Sequence, residues 1–175
     1  MWKKLSYGLI AAVLVLGITN IIRINPAMAQ NGGNRIIPFT ALLTGGQEVP
    51  ENDSKAFGVA FMTFEVETRM LCYSITFTDD KLTGTETVAH FHAPAAPGEN
   101  ADIIFDITPD PSPVGSPKNG CVGPLTRRQG RDLNRGLFYI NIHSDAFPGG
   151  EIRGQVLRVE EIIYNERDDD NDDND

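Results

Sequence analysis

Histidine occurs only three times in 175 residues, cysteine twice and tryptophan once, and basic residues are outnumbered 15 to 24 by acidic ones. Each scarcity excludes something. The acidic balance disfavours nucleic acid and anionic membrane surfaces as partners, because both demand basic patches. Two cysteines are too few for a disulfide-dense miniature fold, and a domain of this length buries a core without such staples. Cys72 and Cys121 are most simply one disulfide closing a loop of about 50 residues; a metal thiolate or two free thiols are the alternatives. No repeat of fixed period and no helical heptad occurs. There is no Gly-x-Ser-x-Gly elbow and no phosphate-cradling glycine loop. Ser144 adjoins His143, but chain neighbours on a strand point to opposite faces and cannot act as nucleophile and base. Glu48, Glu99 and Glu151 have no evident partner for paired-carboxylate chemistry, so no catalytic residue is assigned.

The one long apolar run lies at the start. Lys3 and Lys4 precede an 18-residue apolar stretch over 5–22, followed by Pro26 and the small-residue pattern Ala27-Met28-Ala29. These are the three parts of a secretory signal cleaved after Ala29, which fit better than a retained membrane anchor. Cleavage removes Lys3, Lys4 and Arg23 and takes the net charge from −9 to −12. Export to a periplasm or beyond the cell is expected, with no membrane segment in the mature chain. At the other end, 160–175 is an acidic, solvated tail carrying six aspartates from Asp168 to Asp175; dense carboxylates of this kind attract hard cations.

Between these ends the apolar residues come in short alternating runs rich in Val, Ile, Thr, Phe and Tyr. They predict strands at 36–43, 57–67, 70–78, 85–92, 102–106, 136–143 and 151–159. Thr68-Arg69 and Phe147-Pro148-Gly149-Gly150 supply turns, which favours antiparallel neighbours. The expected fold is an all-β, Ig-like or Greek-key antiparallel sandwich of about seven strands. The stretch 108–123, with prolines at 109, 111, 113 and 117, reads as a long loop tied back by Cys121. One short helix is expected over 127–134, with Thr126 as its N-cap and Gly136 just past its end.

The placement of the histidines is the sharpest signal. His90 and His92, one residue apart on a strand, point to one face, while Ala89 and Phe91 point to the other. In 138–143, Phe138, Ile140 and Ile142 face the core and Tyr139, Asn141 and His143 face away from it. If the two strands are neighbours, three imidazoles converge as a candidate copper or zinc site. The plain alternative is three outward polar residues bonded to adjacent loops. Arg153 shares its strand face with Glu151 and Gln155, either as an exposed cross-strand ion pair or beside a metal or anion pocket. Tyr139, Asn141 and Arg153 are the candidate supporting residues.

Four ordered motifs then carry a resemblance. They are Leu43-Thr44-Gly45-Gly46-Gln47-Glu48-Val49-Pro50, the stretch from Ala89 to Gly98 around His90-Phe91-His92, the stretch from Phe138 to Ser144, and the stretch from Phe147 to Val156. Together they resemble the CHRD domain, named from chordin and found widely in microbial secreted proteins. Where the family carries glycines after the His-x-His pair, this chain has Pro94 and Pro97. The resemblance implies an exported β-sandwich over 36–159, with no enzymatic activity established for microbial members. In chordin the modules belong to a growth-factor-binding protein, a specificity that does not transfer. A second likeness, of geometry, is to copper-zinc superoxide dismutase, which also sets a His-x-His pair, a later strand histidine and an arginine around copper. With no fourth histidine, that enzyme's bridging zinc arrangement has no counterpart here.

The leading expectation is a secreted, non-catalytic CHRD-type module for an unidentified protein or surface ligand. One alternative is a copper- or zinc-binding protein using His90, His92 and His143. Another is an envelope or matrix component whose acidic tail contacts cations.

Overall fold

Alternation in the sequence becomes alternation in burial. The computed structural model describes residues 35–107 and 114–159, so the leader, the tail and the prolines at 109, 111 and 113 lie outside the described residues. Strand β1 (Ile36–Thr44) turns every second residue inward, burying Ile37, Phe39, Ala41 and Leu43. Strands β2 (Phe57–Glu65) and β3 (Met70–Phe77) do the same with Ala60, Met62 and Phe64, then Leu71, Tyr73, Ile75 and Phe77. All three pair antiparallel in sequence order. The β2–β3 turn includes Arg69 at φ 59°, with its N–H donating to the Glu65 carbonyl at 2.8 Å.

Strands β4 (Glu86–His92) and β5 (Ile103–Asp106) pair antiparallel, and β4 pairs on its other side with β7 (Tyr139–Ser144). β7 in turn pairs with β8 (Ile152–Gln155). The full order is β5-β4-β7-β8-β1-β2-β3-β6, with β9 (Leu157–Arg158) bonded to β1. Between β8 and β1 the only registered pair is Thr44 with Arg153, so the path divides into two four-stranded halves. These close over one core. Tyr73 of β3 meets Phe91 of β4 edge-on at 5.5 Å, and both rings belong to the same buried cluster. The all-β antiparallel sandwich with one helix is therefore present, with a barrel-like closure.

Two details differ from the sequence expectation. The loop assigned to 108–123 contains a strand, β6 (Lys118–Val122), at the edge beyond β3. Its burial alternates, but its sequence shows no apolar alternation, and it is held instead by tertiary bonds. Cys72 and Cys121 are direct cross-strand partners joined by a disulfide, and Lys118 forms a buried ion pair with Glu86 at 2.7 Å. The final segment 151–159 is split at Val156, so that β8 serves β7 and β9 serves β1. The helix is as read: α1 (Arg127–Asn134) has Thr126 and Gln129 in a reciprocal capping box, and Gly136 follows at φ 69°.

Candidate metal centre

Strands β4 and β7 lie side by side with His90 opposite Asn141 and His92 opposite Tyr139. Directly opposed residues share a face in an antiparallel pair, and His143, two residues beyond Asn141, falls on the same face as a diagonal neighbour of His90. Sequence reasoning placed these side chains away from the apolar core, and they are. It also expected them to look outward, and that is corrected: every residue of β7 and β8 is buried, with His92 and His143 only 7% and 8% exposed and His90 half-buried. The polar face is roofed by the 93–101 connection, the 145–150 turn and the segment around Glu48.

That roof orients the rings. Nδ1 of His92 lies 2.9 Å from the Ala101 carbonyl, and Nδ1 of His143 lies 2.9 Å from the Pro148 carbonyl. A carbonyl oxygen only accepts, so both Nδ1 atoms carry the proton and both Nε2 atoms present a lone pair. His143 Nε2 points at His90 Nδ1, 3.2 Å away, and His92 Nε2 is buried without a hydrogen-bond partner. One ligand atom from each ring lies within 4.8 Å of the others. Three imidazole nitrogens bonded to one ion at about 2.0–2.1 Å sit roughly 3.4 Å apart, so an ion held by all three would draw the widest pair inward by up to about 1.4 Å. Burial lowers all three imidazoles below the ordinary histidine range. The neighbouring His143 adds to the effect at His90 against Asp106, while the Ala101 and Pro148 carbonyls oppose it at His92 and His143. Neutral rings are the form that coordinates.

The supporting residues are stacked in a pile. The Tyr139 ring lies parallel to His92 at 4.7 Å, and the Arg153 guanidinium sits 3.5 Å from the Tyr139 ring centre. Arg153 donates to the Glu99 carbonyl at 2.7 Å and to Asn100 Oδ1 at 3.1 Å, and Tyr139 bonds both backbone groups of Ala101. The pile therefore pins the loop whose carbonyl orients His92, the kind of outer bonding that sets ligand direction at metal sites. The exposed ion pair considered for Arg153 is overturned, because the residue is 1% exposed and Glu151 turns elsewhere. Glu151 accepts from Ser54, Thr83 and Ser144. Burial pushes its carboxyl up, and these bonds outweigh it and hold it below the usual range. Gln155 bonds the Ala95 and Gly136 carbonyls at 2.9 and 2.6 Å.

One residue escaped sequence reasoning. Glu48, thought partnerless, accepts from Asn141 Nδ2 at 3.5 Å and lies beside Gly150. Burial pushes its carboxyl up to about 7, against the opposing pull of Arg153. Its only sequence signal was its place in the first motif.

A disulfide-bridged antiparallel sandwich with three clustered histidines across one strand pair, two of them oriented by backbone carbonyls, defines the class of protein. The chain belongs to the CHRD family, whose domain model matches residues 39–156. No curated protein and no solved structure matches it.

Proposed function

We propose that this chain is an exported, non-catalytic binding module whose ligand is a copper or zinc ion, held by His90, His92 and His143, the last two through Nε2. One observation carries the reading: the unpartnered His92 Nε2, buried on a ring whose Nδ1 is already engaged and which belongs to a three-histidine set with ligand atoms within 4.8 Å of one another. An orphaned buried acceptor costs free energy in the metal-free protein, about 1–3 kcal/mol, and coordination removes that cost. A set of neutral imidazoles without thiolate or carboxylate suits zinc or copper over magnesium or calcium. Export is supported by the Cys72–Cys121 disulfide, which persists in oxidising compartments, and among the described residues no helix is long and apolar enough to cross a membrane.

The test is elemental analysis of protein exported by its own signal and purified without a metal-affinity step. One equivalent of copper or zinc is expected, lost in His92→Ala and in His143→Ala. A metal-free wild type, or an unchanged metal content in His143→Ala, sinks the reading. The absence of turnover is a separate expectation, checked by a superoxide dismutase assay on the metal-loaded protein, where activity above that of the free ion would overturn it.

A further inference from the structure

A second concentration of charge lies away from the histidines. A groove of about 850 Å³ runs between α1, the start of β1 and β9, and six arginines line it: Arg35, Arg69, Arg127, Arg131, Arg135 and Arg158. Among the described residues no aspartate or glutamate lines it, and its lining also includes Ile36, Phe64 and Val66. Six arginines are half of the basic residues that follow the leader, in a chain of net charge −9. The gathering is built in two ways. Arg127, Arg131 and Arg135 recur every fourth residue along α1 and its C-cap, which puts them on one face. Arg69 is held by its Nε bond to the Leu125 carbonyl at 2.8 Å. Like charges at that helical spacing repel, each pair costing about 0.2–0.5 kcal/mol in an isolated helix, so the stripe is favoured where an anion lies against it.

The chain itself supplies such an anion. Arg158, on the groove's rim, is one residue from the end of the described domain at 159. The next sixteen residues, 160–175, hold nine acidic side chains against one basic, and their apolar residues, Ile162, Ile163 and Tyr164, come directly after the rim. We infer that segment 160–175 is the occupant of the arginine groove of its own chain, its nine carboxylates complementing the six guanidinium groups. Attachment at the rim makes the contact intramolecular, at an effective concentration on the order of millimolar. The fully extended segment reaches about 50 Å.

Nitrogen-15 NMR of the full chain tests this, compared with the same chain carrying Asp→Asn at 168, 169, 170, 172, 173 and 175. At about 0.01 M salt the Gly130 amide and the Nε–Hε groups of Arg127 and Arg131 shift between the two chains. At about 1 M salt, where screening acts within about 3 Å, the spectra converge. The difference is unchanged on tenfold dilution, and it disappears when both chains carry Arg127→Ala and Arg131→Ala at these exposed helix positions. Coincident groove resonances at low salt overturn the inference. So does a difference that survives the double arginine variant, or one that fades on dilution and thereby assigns the groove to the tail of a second copy.

Discussion

At the scale of single residues, burial of charge sets the sharpest expectations. Glu48 Oε1 and Asn141 Oδ1 are both buried without a hydrogen-bond partner, and desolvation raises the Glu48 carboxyl from 4.5 to about 7. The folded state thus holds a proton that the unfolded state has already released. The stabilisation is complete below about pH 4.5, declines as pH rises toward 7, and is gone above it. Replacing the group with a permanently neutral amide removes the penalty, so Glu48→Gln gains on the order of 2 kcal/mol over wild type at pH 8 and little at pH 4.5. Urea melts at the two pH values read this directly, and equal gains at both would contradict it. Gly150, at φ 130°, has no room for a side chain, since a Cβ there would strike the Asn141 amide and the Glu48 carboxylate. Gly150→Ala should lower stability by about 1–3 kcal/mol and weaken metal uptake, because the displaced turn carries the Pro148 carbonyl that directs His143. Thermal melting with and without added zinc separates the two effects. The neighbour relation of Glu48 and Asn141 was illegible in the sequence, where they stand 93 positions apart.

At the scale of elements, β6 shows how a segment with poor strand character is held. Lys118, Asn119 and Gly120 follow a proline and show no apolar alternation, yet the strand runs in register with β3 from Ile75 to Leu71. Its tie to the other half of the sandwich is the Lys118–Glu86 pair, both side chains almost wholly enclosed. Removing one partner of such a pair leaves a buried charge uncompensated. Lys118→Met should therefore cost about 3–5 kcal/mol, with much of it recovered when Glu86→Gln is added. Denaturation of the single and double variants checks this, and an unaltered single variant would show the pair to be dispensable. The strands β1 to β3 were legible because one face is solvated and the other packed, which forces a period of two. β7 was only half legible. Its alternation announced which residues share the histidine face, but the loops that bury that face carry no periodic signal of their own.

At the scale of the whole molecule, the two halves of the sheet meet through a single registered pair at β1 and β8, the shared core and the Lys118–Glu86 pair from β6 to β4, while the disulfide fastens β6 to β3 within one half. The disulfide spans 49 residues and encloses β4, β5 and the start of the histidine site within its loop. In the chain-entropy view it contributes roughly 3–4 kcal/mol by restricting the unfolded ensemble. Reduction, or replacement of both cysteines by alanine, should lower unfolding stability by about that amount while leaving the proposed copper or zinc stoichiometry of the folded protein unchanged. Guanidinium melts paired with elemental analysis test both halves, and loss of metal on reduction would show that the bridge orders the site as well.

By itself the sequence determined the fold class, the strand runs β1 to β5, the capped helix, the pairing of two cysteines as the simplest choice and the shared face of His90, His92 and His143. These follow from local rules: side-chain period, cap chemistry and the geometry of an extended chain. Tertiary structure alone decided that β6 is a strand, that the histidine face is enclosed, and that Glu48, Asn100 and Ala101 reach it. It also placed six arginines from four separate stretches of chain around one groove. Each of these depends on which distant segments come to lie together, and no local pattern encodes that.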